Sequence, residues 1–204
     1  MSIEIWKQRP PSYELFFAPL RVALDPRELE RVEFAYQVSK HGHAGQYRDD
    51  GTRYFDHPKA TAWIYIQELG GRDPRIIIDG LLHDLSEDSR LLSPYRIALN
   101  LGADIALDVA AMTKLPKGKE DTPAYLRRVI ERGPPAIVAK LCDRVHNNRS
   151  LYGCAPEKRR TQVEETNTFH RPILVSALKA QTGVWSGYAD ALDSMMCEAL
   201  SLYA

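Results

Sequence analysis

The strongest constraint on the fold is the way in which polar residues, prolines and glycines divide the chain into helical segments. Asp25-Pro26 and Asp73-Pro74 each combine a helix N-cap with a proline at the first helical position, and Gly70-Gly71 is typical of a helix end. Runs that alternate polar and apolar residues, which mark half-buried strands, are nearly absent. The sequence therefore predicts an all-α protein, an orthogonal bundle of about eight to ten short helices.

The expected division of the chain follows from these signals. Residues 1–24 mix prolines with aromatic residues, which predicts an irregular arm, with at most one short helix, packed on the body. Residues 25–180 form the main domain, and 181–204 add a C-terminal helix to that same domain. The glycine-rich, charged stretch 41–56 is expected to be a binding loop. Predicted helices cover about 25–40, 57–69, 73 onwards, 93–100, 102–113, 122–132, 135–149, 156–180 and 187–202.

The composition argues against nucleic acid as a partner, against a membrane span and against an oxidising compartment. Lys plus Arg and Asp plus Glu both number 27, so no basic excess favours nucleic acid, and a nucleic-acid phosphodiesterase fits poorly. No apolar run reaches the roughly 18 residues of a membrane span. The three cysteines are odd in number and form no C-x-x-C pair, which favours a reducing compartment. We therefore expect a cytoplasmic protein, and both a monomer and a homodimer are compatible with its sequence.

One stretch, residues 81–88 (LLHDLSED), concentrates groups that can carry chemistry. His83, Asp84, Glu87 and Asp88 follow directly on the apolar run Ile76-Ile77-Ile78. In a helix, residues four apart are neighbours, so the carboxylates would repel one another unless a cation lay among them. Imidazole and carboxylate together suit a divalent transition metal, although an ordinary solvated helix end is an equal alternative on these residues alone.

A metal site at His83 and Asp84 needs partners from elsewhere in the chain. His57 lies at a predicted helix start after the glycine-rich loop, and Asp143 lies late in an apolar helix. Each also has a structural interpretation, as a helix-start cap for His57 and as an ion pair with Arg144 for Asp143. Spacing alone does not decide between these interpretations.

Five stretches of the sequence together resemble the HD-domain hydrolase half of the RelA/SpoT proteins, which degrade guanosine tetraphosphate alarmones. They stand in that family's order with matching local spacing, and they cover about residues 35–175. The HD dipeptide alone is a weak signal, whereas five motifs in register are a specific one. The stretches are HAGQYR (43–48) with Gly51, Tyr54 and His57-Pro58; GLLHD (80–84) with Glu87-Asp88; TKL (113–115); KLCDRVHNNR (140–149); and Glu165-Thr166.

The resemblance implies a single HD domain with a metal-dependent hydrolase site. It implies one Mn²⁺ per chain, and Glu87 and Asp88 as the catalytic carboxylates. The expected reaction is hydrolysis of (p)ppGpp at its 3′ position, which gives pyrophosphate and GDP or GTP. Since 204 residues leave no room for a synthetase domain, the chain resembles a stand-alone small alarmone hydrolase. The implied metal ligands are His57, His83, Asp84 and Asp143.

The resemblance also implies the residues that meet the nucleotide. Arg48 is expected to pack its flat guanidinium against the purine base, and the amide of Asn147 to bind the nucleoside. Lys140, Arg144 and Arg149 are candidates for phosphate contacts, with surface or ion-pairing roles as equal alternatives. His146 and His170 are expected to be structural.

Asp49-Asp50 stands where many relatives have Lys or Ser, and this departure keeps a second substrate class open. The same chemistry on (p)ppApp, or on the 2′-phosphate of NADPH, is the neighbouring alternative. An alternative of another class is a non-catalytic HD module that binds an alarmone. The intact set of predicted ligands and carboxylates argues against that module.

Overall fold

The computed structural model describes residues 10–85, 93–116 and 118–203, and within these ranges the chain has the predicted all-α architecture. Extended backbone pairs there only as one isolated bridge, between Tyr47 and Arg53 in the loop. None of the described helices is both long and apolar enough to cross a bilayer. The helices are α1 (Tyr13–Ala23), α2 (Pro26–Gly42), α3 (Asp56–Trp63), α4 (Pro74–Leu82), α5 (Pro94–Leu101), α6 (Ala103–Met112), α7 (Thr122–Glu131), α8 (Pro134–Arg149), α9 (Pro156–Glu165), α10 (Ser176–Lys179) and α11 (Val184–Leu200).

Five of the eleven described helices begin at a side chain that accepts a free backbone N–H group of the first turn. Asp25 accepts from the backbone N of Arg27 and Glu28 at 2.8 and 2.9 Å, and the carboxylate of Glu28 accepts the backbone N–H of Asp25. Asp73 and Asp121 each accept one first-turn N–H and so cap α4 and α7. A proline follows each of these caps within the first turn, where its missing N–H costs nothing.

Two of the predicted helices contain π-helical stretches that the sequence pattern does not indicate. Ile64–Glu68 continues α3, and Thr166–Val175 joins α9 to α10. The predicted extents 57–69 and 156–180 agree with these continuous helices, but the side-chain register inside them differs from that of an α-helix. Pro172, which has no N–H to donate to a helix, lies within the second stretch.

The described part of the N-terminal segment contains one helix. Ser12 accepts the backbone N–H of Leu15 and starts α1, which is 11 residues long. Phe16, Phe17 and Leu20 of α1 are fully buried. Their burial holds α1 in place despite a proline in its interior. The division of the chain into segments 1–24, 25–180 and 181–204 stays a prediction.

The centre of the molecule is made of α4 and α8. α4 packs against α2, α3 and α8, and α8 packs in turn against α3 and α11. The side chains of Ile76–Ile78, Leu81 and Leu82 are all buried, and each contributes about 1.5–3 kcal/mol of hydrophobic stabilisation. Gly80 allows the close approach of α3, since a Cβ there would lie 3.2 Å from the Cα of Ala62. The ends of α3, α4 and the middle of α8 thereby come together.

Candidate metal centre

Four of the predicted site residues converge where these three helices meet. His57 lies in the first turn of α3, His83 and Asp84 follow the last residue of α4, and Asp143 lies on α8. The Nε2 atoms of His57 and His83 are 3.2 Å apart. Asp84 Oδ2 is 3.3 Å from His57 Nε2 and 3.2 Å from His83 Nε2. Asp143 Oδ1 is 3.1 Å and 3.4 Å from the same two nitrogen atoms.

These separations match those of atoms that share one metal ion. Two ligand atoms that each lie about 2.1 Å from an ion, at an angle of about 90–110°, are about 3.0–3.4 Å apart. His83 Nδ1 is 2.9 Å from the carbonyl oxygen of Gly80 and donates to it, which leaves the Nε2 lone pair of His83 directed at the other groups. The ligand atoms of His57, His83 and Asp143 all lie within 4.8 Å of one another, and all three residues are buried. The residues present therefore fit a divalent cation.

The electrostatics of the cluster call for positive charge at its centre. Burial by itself lowers the pKa of His83, but the carboxylates of Asp84 and Asp143 outweigh it and raise that pKa to about 10. Burial favours protonation of Asp84, yet His83 and His57 hold its pKa well below the usual range. For Asp143, Lys140 and His83 overcome burial in the same way. A bound cation would satisfy the two carboxylates without a protonated imidazole.

Neighbouring side chains hold both carboxylates in place. The Tyr54 hydroxyl donates to Asp84 Oδ2 at 3.0 Å. Lys140 Nζ is 2.7 Å from Asp143 Oδ2, and Asn147 Nδ2 donates to Asp143 Oδ1 at 2.6 Å. The orienting role of Tyr54 was not foreseen, because it depends on contact between residues 30 positions apart. Its only sequence signal was its place in the first motif.

His146 also touches the cluster, although it was expected to be only structural. Its Nδ1 lies 2.8 Å from Nδ1 of His57, and the two rings are 4.8 Å apart. Removal from water lowers the pKa of His146 well below its ordinary value, and His57 and Arg48 lower it further. His146 is therefore a neutral imidazole in contact with a predicted ligand.

A cavity of 330 Å³ opens beside the four residues. Three cations, Lys114, Lys140 and Arg144, line it together with His57, Asp84 and Asp143. Burial lowers the pKa of Lys114, and the charges of Lys140 and Arg144 lower it further, so the three cations lie near one another. This part of the cavity suits an anionic group next to the metal cluster. The rest of the lining comprises Tyr47, Arg48, Asp49, Asp50, Tyr54, Asn147, Ser150, Leu151, Gly153, Cys154, Lys158 and Gln162.

The residues predicted to meet the nucleotide do not all lie in this cavity. Arg48 Nη2 donates to Asn147 Oδ1 at 3.0 Å and to Ser150 Oγ at 3.1 Å, and all three residues line it. Arg149 instead pairs with Glu68 at 2.5 and 2.8 Å and borders a second cavity, of 910 Å³. Its predicted phosphate role therefore gains no support from its position.

Side chains of α9 and of the π-helical stretch after it hold Arg144 in place. Its Nη1 donates to Gln162 at 2.7 Å, and its Nη2 donates to Nε2 of the buried His170 at 2.8 Å. Burial, with the charges of Arg144 and Lys140, lowers the pKa of His170 to about 2, so this imidazole is a neutral acceptor. The structural role predicted for His170 agrees with this contact. Glu87 and Asp88, the predicted catalytic carboxylates, lie outside the described residues.

No protein-family model matches the chain. A protein from Aquifex aeolicus named guanosine-3′,5′-bis(diphosphate) 3′-pyrophosphohydrolase is 32% identical over 166 residues, which is 79% of this chain and 23% of the relative. The bifunctional (p)ppGpp synthase/hydrolase SpoT of Escherichia coli is 31% identical over 76% of this chain and 23% of its own length. Over about three quarters of its length, the chain is similar to one part of proteins named as (p)ppGpp hydrolases.

The relatives match most of this chain, but this chain spans only about a fifth of their length. A Streptomyces antibioticus protein named GTP pyrophosphokinase, for instance, is 34% identical over 74% of this chain and 18% of itself. One solved structure is described as a metazoan ortholog of SpoT that hydrolyses ppGpp. It superimposes on this chain with a TM-score of 0.68 at 20% sequence identity, and the match covers 85% of this chain and 96% of that one. The predicted all-α HD-domain fold is thereby confirmed.

Proposed function

We propose that this protein is a metal-dependent hydrolase that removes the 3′-pyrophosphate of (p)ppGpp and leaves GDP or GTP. The observation that carries the proposal is the convergence of His57, His83, Asp84 and Asp143 at 3.1–3.4 Å beside a cation-lined cavity. The names of the Aquifex and Escherichia relatives support the choice of reaction and substrate. The three cysteines are free thiols, in keeping with a cytoplasmic enzyme.

The four converging residues would hold one Mn²⁺ through two nitrogen and two oxygen atoms. Mixed imidazole and carboxylate ligands suit manganese, iron or zinc, and manganese is the ion that the resemblance implies. The ion would supply Lewis-acid chemistry, since it polarises a phosphoryl oxygen and makes water more acidic. Tyr54, Lys140 and Asn147 hold the two carboxylates where the ion needs them.

The rest of the reaction depends on side chains of the chain itself. Lys114 and Arg144 are placed to bind the diphosphate and to balance the negative charge that grows on it as the bond breaks. Arg48 and Asn147 also line the cavity, and they would bind the nucleoside. One carboxylate of the pair Glu87 and Asp88 accepts the proton of the attacking water, a general-base role.

The acidic pair Asp49-Asp50 gives little support to an adenine nucleotide as the substrate. Asp50 Oδ1 accepts from the backbone N and the hydroxyl of Thr52, at 3.0 and 2.6 Å, which shapes the loop. Asp49 Oδ2 is 2.6 Å from Lys158 Nζ on α9. Both carboxylates are thus engaged by the chain itself, and guanine stays the proposed base.

Product analysis tests the proposal directly. Protein freed of metal is given ppGpp, ppApp and NADPH side by side, with and without Mn²⁺, and the products are separated by anion-exchange chromatography. We expect Mn²⁺-dependent release of pyrophosphate, fastest from ppGpp. Asp84→Ala should abolish the release, while Asp104→Ala, the same change at an exposed site away from the cavity, should not.

Faster turnover of ppApp or NADPH would move the proposal to that nucleotide with the mechanism unchanged. No turnover of any of the three by protein that binds Mn²⁺ would refute hydrolysis. A nucleotide-binding HD module would then be the better assignment.

A further inference from the structure

We infer that His146 is the positioning residue of the metal centre: it accepts the Nδ1 proton of His57 and so keeps His57 Nε2 free to bind the ion. The inference rests on the proposed metal site and adds a residue to it. His146 has no atom among the four that converge, so it acts on the ion only through His57.

The contact between the two rings permits only two proton arrangements. The two Nδ1 atoms are 2.8 Å apart, and a hydrogen bond between two nitrogens contains one hydrogen. If His57 donates, its Nε2 carries a lone pair, because a neutral imidazole has one N–H. If His146 donates, the hydrogen of His57 lies on Nε2 and points toward Asp143 Oδ1, 3.1 Å away, and toward the ion's position. Only the first arrangement allows metal binding.

The other three predicted ligands each have a partner that orients them in the same way. His83 donates to Gly80 O, Tyr54 donates to Asp84, and Asn147 donates to Asp143. Such outer hydrogen bonds set the tautomer and orientation of metal ligands, and the loss of one typically costs about 10–100-fold in metal affinity. His146 completes the set, since it makes the corresponding contact to His57.

The location of His146 allows the effect of its substitution on metal binding to be separated from an effect on nucleotide binding. It lies on α8 three residues after Asp143, and residues at this spacing share a helix face. Helix α8 therefore supplies one ligand directly and holds a second, His57 of α3, through His146. His146 borders the 910 Å³ cavity but does not line the 330 Å³ cavity beside the cations.

Two nearly isosteric substitutions test the inference. Asn at position 146 offers an acceptor oxygen near the place of Nδ1, whereas Leu has the same branching and no acceptor. We expect His146→Leu to weaken Mn²⁺ binding about 10–100-fold by isothermal titration calorimetry, and His146→Asn to restore most of the affinity. His41→Asn, at an exposed histidine whose ring hydrogen-bonds the backbone carbonyl of Gln37, is the control and should leave the affinity unchanged.

A spectroscopic readout does not depend on the folding of either variant. In Zn²⁺-loaded wild-type protein, ¹⁵N NMR should find His57 protonated at Nδ1 and His146 at Nε2. Zinc bound through Nδ1 of His57, or unchanged Mn²⁺ affinity in folded His146→Leu, would overturn the inference and leave the proposed hydrolysis intact. A wild-type chain that binds Mn²⁺ but hydrolyses no nucleotide would refute the proposed function and leave the inference intact. A wild-type chain that binds no divalent ion would overturn both.

Discussion

Two buried clusters of charge lie four residues apart in sequence at the end of α4, and only one of them has the form of a binding site. Asp79 belongs to the first cluster and His83 to the second, and both side chains are fully buried. Both clusters bring acidic groups from separate helices together. The difference between them lies in how the acidic charge is balanced.

The first cluster, which we call the arginine cluster, comprises Asp79, Asp108, Arg75 and Arg132. Arg75 Nε and Arg132 Nε donate to the two oxygens of the fully buried Asp108, each at 2.7 Å. Burial and the nearby carboxylate of Asp108 raise the pKa of Asp79 well above its ordinary value, which favours its neutral form. Charge in the arginine cluster is therefore balanced within the chain itself.

The metal cluster of His57, His83, Asp84 and Asp143 differs in its charge balance and in its access to a cavity. Its two nitrogens and two oxygens face one another, and only the second oxygen of Asp143 meets a cationic side chain, Lys140, in the described structure. It also opens on a cavity, which Asp79 and Asp108 do not line. Buried acidic residues alone thus do not identify a site, whereas convergent lone pairs beside a cavity do.

The largest expected effect separates two positions four residues apart, Asp79 on α4 and His83 directly after its end. His83→Ala removes a predicted ligand, so pyrophosphate release from ppGpp should fall by at least about 10²–10³-fold, as when one stabilising group is lost. Asp79→Asn should leave the rate unchanged, because Asp79 does not line the cavity and Asn keeps its shape. Equal losses in both variants, measured on folded protein, would contradict the distinction.

Metal addition should stabilise the protein through the metal cluster alone. At a Mn²⁺ concentration of about 100 times Kd, the free energy of unfolding should rise by about 2.7 kcal/mol, since the ion binds only the folded state. Thermal denaturation with and without Mn²⁺ measures this gain. Asp84→Ala should lose most of it, and a gain of the same size in that variant would place the ion elsewhere.

Removal of the acid at the centre of the arginine cluster should cost stability but not metal affinity. Asp108→Ala leaves Arg75 and Arg132 without their partner, and we expect a loss of about 2–3 kcal/mol, because both guanidinium groups keep partial contact with water. Urea denaturation measures the loss. Asp104→Ala, at an exposed partner of the same Arg132, should change stability by at most about 0.5 kcal/mol. A marked fall in Mn²⁺ affinity in Asp108→Ala would link the two clusters.

The last expected effect is a dependence of stability on pH. The raised pKa of Asp79 means that the folded state binds more protons than the unfolded state above pH 4, so this residue lowers stability as pH rises toward its folded pKa. Asp79→Asn removes that loss. Relative to wild type, the variant should gain up to about 1.4 kcal/mol per pH unit from pH 4 upward, measured by urea denaturation. A difference that stays constant over pH 4–8 would show that Asp79 is ionised.

Helices that are set by residues close in sequence could be predicted, whereas features that depend on tertiary packing could not. The caps at Asp25 and Asp73 act within three residues, so their helices could be placed from the sequence. The bounds of the 11-residue helix α1 could not be predicted, because three prolines and clustered aromatic residues hide its period, and burial of Phe16 and Phe17 stabilises it. The π-helical register of Thr166–Val175 depends on packing, and no pattern in the sequence indicates it.

The candidate site shows the same limit. His57, His83, Asp84 and Asp143 could be named because they stand in motifs that resemble a known family. The contact of His146 with His57 joins residues 89 positions apart, and that of Arg48 with Asn147 joins residues 99 apart. Such pairs follow from the angles at which α3 and α8 pack, which spacing in the sequence does not contain. The catalytic roles of Glu87 and Asp88 stay predictions.

The most direct test of the central claim measures bound metal and turnover on the same sample. Metal-free protein is titrated with Mn²⁺, and bound ion per chain and the rate of pyrophosphate release from ppGpp are recorded at each step. The account predicts no release without metal and a rate that rises with bound Mn²⁺ and levels off at one ion per chain. Full release by metal-free protein, or none by protein that has bound its ion, would contradict it.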